Sequence, residues 1–523
     1  MTSVQDISPS TPPSSPKYRG WLRWILLGAL SIGTGALAQL YWIFFARLTY
    51  PLDIEWMEGG MLVHAHRIMH GQALYAPPSV NFVSFLYTPL YPALLAIMGQ
   101  VVGLSYVLGR LLSIIGFTAA LAAILAAAWQ RTTDRLAAAA AGLLAAAAVA
   151  MAFPFCGSWY DLVRNDSLWL GFTAWSLVLL TGKEENLVRV ASASALMVAA
   201  FFTKQTAGPM ALAAGIGLLL TGRWRRALWF GLLTAVPAVL LVLLANHLTE
   251  GWFWIYIYKL HQSHPVFWNR IWPKTPMAIL TNQWPIWVTL LSGAGFLTWK
   301  KRLDADILFW ILAALAGLAA AAVGSATQGA YKNANIPGVF FPAMAAGAVL
   351  ASTMEARWQE SDMATKRLAP LLLAAIFALQ APLHWFNPRP MIPTRKDRIR
   401  ASRFIALLKS FGPNPFVPYH PYYNIIAGGQ GHMHIMGVND VASWAKGITS
   451  DEARNRRIKA DLRRSIYESF RRHRWTAVFH DRTYTHQLFG MTRFYRRSRD
   501  LGTLAPEVWT GNRCRPRYLW LPR

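Results

Sequence analysis

Residues 50–91 read YPLDIEWMEGGMLVHAHRIMHGQALYAPPSVNFVSFLYTPLY and come directly after the first long apolar run of the chain. This stretch contains the three carboxylates of Asp53, Glu55 and Glu58. Ionisable groups at the end of a membrane helix are costly unless they have a partner or act on a ligand. The stretch therefore predicts a polar site at the mouth of a helix bundle, which favours an enzyme.

The composition places the chain among the polytopic α-helical membrane proteins. Of its 523 residues, 54% are hydrophobic and only 14% are charged, and 24 are tryptophan. A soluble globular chain would carry more charge. The two cysteines, Cys156 and Cys514, are far apart in the sequence, and their spacing indicates neither a disulfide framework nor a thiolate metal site.

Apolar runs predict about eleven transmembrane helices. Residues 1–20, rich in Ser and Pro, are expected to form a disordered cytoplasmic tail. Residues 21–45 predict the first span, an uncleaved anchor. The further apolar runs lie at residues 106–129, 136–153, 168–181, 190–203, 207–221, 228–248, 284–299, 307–323, 337–353 and 368–386.

Basic connectors set the predicted orientation. The connectors QRTTDR, GKEENLVR, GRWRRA, KKRLDAD and MEARWQESDMATKR all carry Lys or Arg near a span, and the positive-inside rule places them together in the cytoplasm. The membrane module then covers residues 21–386, with a first outer loop at 46–105. Residues 85–103 predict a helix that lies at the outer interface or dips in and returns, unless two of the short spans are really one.

This topology brings ionisable and amide side chains together at the outer ends of the helices. They are Asp53, Glu55, Glu58, Arg110, Arg164, Asp166, Lys204, Lys332, Asn333 and Asn335. Salt bridges between helix ends would explain any one of them. As a group, acids and cations at a lipid-accessible mouth are suited to handling a phosphate and an incoming hydroxyl.

A series of short motifs resembles the GT-C membrane glycosyltransferases, in the branch that includes protein O-mannosyltransferases and lipid A aminoarabinose transferases. After the acidic cluster come Gly-x-x-Leu-Tyr at 71–75, Tyr-x-Pro-Leu-Tyr-Pro at 87–92, Leu-Gly-Arg-Leu at 108–111, Arg-Asn-Asp at 164–166, Thr-Lys-Gln at 203–205 and Asn-x-Pro at 335–337. The resemblance covers residues 21–350. It implies transfer of a sugar from a polyprenyl-phosphate donor to a lipid, glycan or protein acceptor at the outer face.

The resemblance also implies a catalytic base in the first outer loop. Aligned on Gly71, the acidic pair of the family falls on Met57 and Glu58, so this chain has Met where an Asp is expected. We therefore expect the base to be Asp53 or Glu55, with Glu58 as a partner. Asp53 could instead cap the helix that follows.

A second acid is expected at Asp166, which matches the later acidic position of the family. It would orient the acceptor or share charge with the first outer loop. Alternatively, Asp166 pairs with Arg164 or caps the helix that begins near residue 168. We count Asp166 among the catalytic candidates.

Cations and aromatic residues provide the expected contacts to the donor. The donor phosphate should meet Lys204 first, because a turn between two short helices holds it at the membrane surface, and the other candidates are Arg110, Arg270 and Lys332. The substrate-binding candidates are Tyr87, His261, His264 and Asn335. The aromatic residues of the loop 249–283 could also form a plain interfacial belt.

The histidines of the first outer loop do not predict a metal site. His66 and His70 lie four residues apart on one helical face, but no third ligand follows at a fixed spacing. A divalent cation between the acids and the donor phosphate stays open as an alternative.

Residues 387–523 predict a small, basic α/β domain on the extracytoplasmic side. The segment carries 26 Lys and Arg against 9 Asp and Glu. Helices are expected at 398–411 and 450–473, and strands within 415–419 and 475–480. The expected partners are anionic membrane lipids or an acidic glycan, and nucleic acid is excluded by the location. The segments 420–422 and 428–432 are expected to be turns, without a catalytic residue.

Two other functions use similar features. A transporter or flippase of lipid-linked sugars would place its charges near the middle of the spans and show related halves. A polysaccharide ligase or polymerase would have a large late loop with Arg and His. The acids after the first span favour the glycosyltransferase, in the inner membrane of a bacterium.

Overall fold

The computed structural model describes residues 20–182, 186–358, 364–482 and 486–523, with side chains except at 20–22, 357, 358 and 364–367. The tail predicted at residues 1–20 therefore lies outside the described residues, apart from Gly20. The described part consists of a helical bundle followed by a small mixed sheet with helices around it.

The bundle is formed by α1 to α17. In chain order they are α1 (Gly20–Leu48), α2 (Glu58–Met69), α3 (Leu90–Val102), α4 (Tyr106–Trp129), α5 (Arg135–Met151), α6 (Asp166–Leu180), α7 (Leu187–Thr203), α8 (Ala207–Leu220), α9 (Trp224–Leu248), α10 (Trp252–Trp254), α11 (Leu260–Ser263), α12 (Thr275–Asn282), α13 (Trp284–Trp299), α14 (Ala305–Ser325), α15 (Ile336–Trp358), α16 (Ala364–Ala378) and α17 (Gln380–Leu383).

The described helices agree closely with the apolar runs of the sequence. Five segments are long and apolar enough to cross a membrane, namely Arg23–Leu48, Tyr106–Trp129, Trp224–Leu248, Ala305–Ser325 and Lys332–Ala356. The remaining apolar helices are shorter, so the count of eleven spans stays a prediction. Helix α3 has 13 residues, which at 1.5 Å per residue is about 20 Å, short of a hydrocarbon layer of about 30 Å.

Polar caps begin several of the helices, and small residues let them pack closely. Asp134 accepts hydrogen bonds from the first backbone N–H groups of α5, and Asp304 does the same for α14. A Cβ atom at Gly116 of α4 would lie 2.7 Å from the backbone of α6, and one at Gly317 of α14 would lie 2.5 Å from the backbone of α15. Small residues at helix contacts are typical of membrane bundles, because close approach maximises van der Waals contact.

One end of the bundle collects the basic connectors, and we call it the connector end. Arg131, which follows α4, pairs with Asp304 and with Asp306 before and within α14. Arg223, which precedes α9, pairs with Asp306 at 2.6 Å. Thr132 donates a hydrogen bond to Glu355 of α15 at 2.6 Å. The basic connectors, which were predicted to lie on one side, therefore contact one another directly.

The opposite end, which we call the mouth, is formed by the first outer loop, the segment 152–165 and the starts of α4, α6 and α8. Its ion pairs are Arg47 with Asp161, Arg110 with Glu58, Arg164 with Glu55 and Lys204 with Asp166. The acids after the first span and the cations of later helices therefore meet at one end, as the topology required.

The C-terminal part forms a four-stranded sheet in the order β1-β2-β4-β3. The strands are β1 (Pro415–Phe416), β2 (Ala477–His480), β3 (Tyr495–Asp500) and β4 (Tyr518–Pro522), and the helices are α18 (Arg395–Ser410), α19 (Pro421–Ile426), α20 (Ile435–Val438), α21 (Glu452–Arg471) and α22 (Met491–Phe494). Only β1 and β2 are parallel, with Phe416 opposite Val478. The turn predicted at 420–422 is instead the start of α19, because Pro421 occupies the first helical position, where its missing N–H costs nothing.

Candidate active site

The carboxylate of Glu58 is fully buried, and both of its oxygens accept hydrogen bonds. Its Oε1 accepts from Arg110 Nε and from the Val163 N–H, and its Oε2 accepts from Arg110 Nη2 and from the Ile54 N–H. Burial alone would raise the pKa of Glu58, but Arg110 and these N–H groups hold it below the ordinary value. Glu58 is therefore an ionised structural anchor for the first outer loop.

The guanidinium of Arg110 is equally occupied. Besides Glu58, it donates to the carbonyl oxygens of Arg47, Tyr50 and Leu52, and the side chain is not exposed at all. No N–H donor is left for a phosphate. The structure thus gives Arg110 the task of holding the end of α1 and the start of the loop, in place of the expected contact to the donor.

Asp53 is also enclosed, which was not foreseen. Its Oδ1 accepts from the Gly59 N–H at 2.8 Å and from Tyr106 Oη at 2.7 Å. Its Oδ2 lies 2.6 Å from His420 Nδ1 in the C-terminal domain. Both oxygens are in use, so Asp53 has no oxygen with which to reach an acceptor.

Glu55 differs from its two neighbours. Its Oε2 accepts from the Met57 N–H at 3.1 Å and lies 3.6 Å from Arg164 Nη1, whereas its Oε1 has no hydrogen-bond partner in the described chain. Burial raises the pKa of Glu55 to about 8, against the opposing effect of Arg164. A carboxyl with a pKa near neutrality and an unused oxygen is suited to general-base chemistry.

A second acid and its cation lie at the same end of the bundle. Asp166, the first residue of α6, accepts from Lys204 Nζ at 2.6 Å and from Asn333 Nδ2 at 3.1 Å through Oδ1. Its Oδ2 accepts from Trp159 Nε1 at 3.0 Å. The predicted turn at Lys204 is the break between α7 and α8, and it leaves the Lys204 side chain 16% exposed.

Arg164 connects the two acids. Its guanidinium lies over the rings of Tyr87, at 5.2 Å, and of Trp159, at 5.4 Å, and its Nη2 donates to Tyr87 Oη at 2.7 Å. Its Nε has no hydrogen-bond partner within the described residues. The aromatic faces fix the cation next to Glu55, and Nη1, like Nε, makes no hydrogen bond within the described residues.

The remaining predicted binding residues lie outside the group of Glu55, Arg164 and Asp166. Lys332 is exposed in the turn that holds Asn333, and Asn335 donates to the Phe155 carbonyl. His261 Nε2 lies 3.0 Å from the Leu86 carbonyl oxygen, and burial lowers its pKa to about 4. The recorded contacts of Arg270 are with the Ser325 carbonyl and the Phe267 ring.

His264 was also expected to contact substrate. The structure places it against the C-terminal domain, where its Nε2 lies 3.3 Å from the Asp440 carbonyl oxygen and its ring meets that of Trp444. His264 therefore connects the loop 249–283 to this domain.

A segment of the C-terminal domain covers Glu55. The N–H groups of Trp509 and Thr510 donate to the Ile54 carbonyl, and Thr510 Oγ1 donates to the Gly157 carbonyl. At Gly511 the φ angle is +76°, and a Cβ atom there would lie 2.7 Å from Glu55 Oε1. No pattern in the sequence indicated this cover, because it depends on contacts between residues more than 350 positions apart.

The histidine pair considered for a metal does not form a ligand set. His66 and His70 stack on one another with ring centroids 4.1 Å apart. The group that could hold an ion, among the residues with described side chains, consists of His420, Asp481 and Cys514. Both cysteines are free thiols, and the spacing of Cys514 in the sequence had indicated no thiolate site. The fold brings these three side chains together, although their spacing in the sequence does not indicate it.

Comparison with known proteins identifies the fold. No protein-family model and no curated protein sequence matches the chain. Among solved structures, ArnT from Cupriavidus metallidurans bound to undecaprenyl phosphate has a TM-score of 0.56 at 13% identity, covering 96% of this chain and 98% of that chain. The apo state of ArnT gives the same TM-score at 12% identity.

A second protein shares the architecture. The archaeal oligosaccharyltransferase AglB from Archaeoglobus fulgidus, in complex with an inhibitory peptide and a dolichol-phosphate, has a TM-score of 0.52 at 10% identity, covering 88% of this chain and 70% of that chain. At identities this low, the structural similarity shows a shared fold alone. The chain therefore has the GT-C fold of these membrane glycosyltransferases, as the order of its sequence motifs indicated.

Proposed function

We propose that the chain is an integral membrane glycosyltransferase that moves a sugar from a polyprenyl-phosphate donor to a lipid, glycan or protein acceptor. The mouth and the C-terminal domain face the periplasm of a bacterial inner membrane, and the bundle has about eleven spans. The similarity over nearly the whole chain to ArnT bound to undecaprenyl phosphate, and to AglB with a dolichol-phosphate, supports a lipid-phosphate donor.

The observation on which the proposal rests is the pairing of an unused carboxyl oxygen with cations at one end of the bundle. Glu55 Oε1 and Arg164 Nε have no partner among the described residues, and at the same end of the bundle Lys204 pairs with Asp166. Leaving a buried polar group unpaired costs about 1–3 kcal/mol. Such a cost is expected where a ligand completes the hydrogen bonds.

The roles follow from the chemistry of direct displacement at an anomeric carbon. Glu55 accepts the proton of the acceptor hydroxyl as the new C–O bond forms. The bond between sugar and phosphate breaks, and the polyprenyl phosphate leaves with the electron pair. Lys204 neutralises the charge that develops on the phosphate, and Asp166 positions Lys204. Arg164 and Tyr87 form the wall between the two acids.

The mouth also has groups suited to binding a sugar. Tyr87 presents a half-exposed ring and hydroxyl beside Arg164, and His261 with Gln205 lines the neighbouring turn. Aromatic faces beside polar groups are typical of carbohydrate contacts, because a pyranose ring has one apolar face. The exposed Lys332 provides a further positive charge at the rim.

The test is transfer by the purified chain. Wild type and Glu55→Gln in detergent are incubated with radiolabelled polyprenyl-phosphate sugars and with membrane extract as the acceptor source. We expect wild type to pass label from at least one donor into the extract and Glu55→Gln to fail. Transfer by Glu55→Gln at the wild-type rate would remove Glu55 as the base, and no transfer from any donor of this class would contradict the proposed reaction.

A further inference from the structure

Three side chains from separate parts of the C-terminal domain meet beneath the first outer loop. His420 immediately precedes α19, Asp481 follows β2, and Cys514 lies in the loop before β4. They are 0%, 8% and 7% exposed, respectively. Their ligand atoms all lie within 4.8 Å of one another. A buried imidazole, carboxylate and thiol so close together form the donor set of a transition-metal site.

The separations between the donor atoms fit one ion. His420 Nε2 lies 3.0 Å from Asp481 Oδ2 and 3.8 Å from Cys514 Sγ. Usual zinc-ligand bond lengths in tetrahedral geometry separate nitrogen from oxygen by about 3.4 Å and nitrogen from sulfur by about 3.6 Å. Both observed distances lie within a few tenths of an ångström of these values, so small side-chain adjustments would suffice.

Two further observations point to a ligand at this place. Asp481 Oδ1 is buried and has no hydrogen-bond partner in the described part of the chain. On the other side of the imidazole, Asp53 Oδ2 lies 2.6 Å from His420 Nδ1. A carboxylate on the distal nitrogen of a metal-binding histidine fixes the tautomer that presents Nε2 to the ion. Asp53 thus holds His420 in the orientation that a metal requires.

The three side chains also have an entry path. A cleft of about 560 Å³ opens beside them and is lined by Asp481 and Cys514. Arg482, Arg513 and Arg515 lie along the same cleft. An ion held by three protein ligands here would keep its fourth position toward this space, as in zinc sites that bind water or a small anion.

We propose that His420 Nε2, Asp481 and Cys514 Sγ bind one zinc ion or a similar borderline-soft divalent metal, with the fourth coordination position open to the arginine-lined cleft. The thiol excludes Mg²⁺ and Ca²⁺, which take oxygen ligands. Through Asp53, the ion would connect the C-terminal domain to the first outer loop.

Metal content is the first test. The full-length chain, purified without chelator and incubated with Zn²⁺, is dialysed and analysed by elemental mass spectrometry. We expect one zinc per chain in wild type and in Cys156→Ser, which removes the other buried thiol. In competition with a chelator, Cys514→Ser should bind zinc at least about 100-fold more weakly, since loss even of a second-shell partner costs 10–100-fold. Gel filtration verifies that both variants remain folded.

A cobalt spectrum tests the same site without any variant. Wild type loaded with Co²⁺ should show the visible bands of a tetrahedral ion and a thiolate-to-cobalt charge-transfer band in the near ultraviolet. Wild type that retains no metal, or Co²⁺ bound without the thiolate band, would overturn the proposal. Equal zinc affinity in wild type and Cys514→Ser would do the same. In each of these cases His420 is a proton-bearing bridge between Asp53 and Asp481.

Discussion

The two ends of the bundle contain ion pairs of nearly the same geometry in different surroundings. Lys204 and Asp166 at the mouth lie 2.6 Å apart, as do Arg223 and Asp306 at the connector end, and both cationic side chains are 16% exposed. At the connector end, Asp306 also pairs with Arg131 and accepts from the Gly182 N–H, so the network joins several connectors. Its function is to hold helices together.

The mouth has more polar atoms than its own contacts use. The mouth contains several buried atoms without a hydrogen-bond partner among the described side chains, including Glu55 Oε1, Arg164 Nε, Gln205 Oε1 and Thr206 Oγ1. In the connector network, Arg223 Nη1 is such an atom. The geometry of one ion pair therefore does not distinguish a structural site from a functional one. The unused bonding capacity around the pair does.

The largest expected difference is between Glu55→Gln and Asp306→Asn. Loss of a general base lowers a rate by about 10²- to 10⁴-fold, and we expect this of Glu55→Gln with little change in the midpoint of thermal unfolding. Asp306→Asn should keep most of the transfer rate but lose about 1–3 kcal/mol of stability, because it leaves buried donors unpaired. Transfer assays and thermal unfolding in detergent measure both variants. The reverse pattern would contradict the assignment of the two ends.

Lys204 and Arg223 provide a matched comparison, for which we expect a difference of moderate size. Lys204→Met should raise the half-saturating concentration of the lipid donor roughly 10- to 100-fold, the effect of one hydrogen bond to a charged group of about 1.5–3 kcal/mol. Arg223→Met removes an equally exposed cation from the connector end and should change that concentration by less than about twofold, since it lies outside the phosphate site. Equal effects of the two changes would mean that Lys204 is only structural.

The pH dependence of transfer should follow Glu55. Because burial raises its pKa to about 8, the rate should increase about tenfold per pH unit below that value and level off above it. In the unfolded chain the group ionises near its ordinary pKa of 4.5, so unfolding releases its proton and the fold loses stability as pH rises between about 4.5 and 8. A rate that is flat from about pH 6 to 9 would exclude Glu55 as the titrating base.

The smallest expected effect concerns the cover over Glu55. Gly511 and Gly412 have φ angles of +76° and +77°, so alanine strains both positions alike. A Cβ at Gly511 would press on Glu55 Oε1, whereas nothing lies within 4 Å of one at Gly412. Gly511→Ala should lower transfer about tenfold further than Gly412→Ala, in line with the sensitivity of rates to small displacements of catalytic groups. Equal transfer rates would show that the cover does not position Glu55.

The sequence predicted the helices well because a long apolar run in a bilayer can satisfy its backbone hydrogen bonds within the segment only as a helix. The run at 106–129 is α4 residue for residue, and the basic connectors meet at one end. The acids after the first span also lie near one another in the structure. Local sequence contained enough information for each of these expectations.

The roles within the cluster could not be ranked from the sequence. Asp53 and Glu55 looked equivalent, and it takes the contacts of Asp53 with Tyr106 and with His420, 367 positions later, to show that both of its oxygens are already bound. The same holds for Cys514, which reaches His420 across 94 positions. Such contacts depend on how the C-terminal domain docks on the mouth, and no spacing rule encodes that docking.

Sugar transfer at the outer face requires that the mouth faces away from the cytoplasm. Lys332 is exposed at the mouth and Lys301 at the connector end, so Lys332→Cys and Lys301→Cys report on the two ends while the native cysteines stay buried. A membrane-impermeant maleimide should label Lys332→Cys in intact cells and Lys301→Cys only after lysis. Labelling of Lys301→Cys in intact cells, with Lys332→Cys protected, would turn the bundle over and contradict sugar transfer at the outer face.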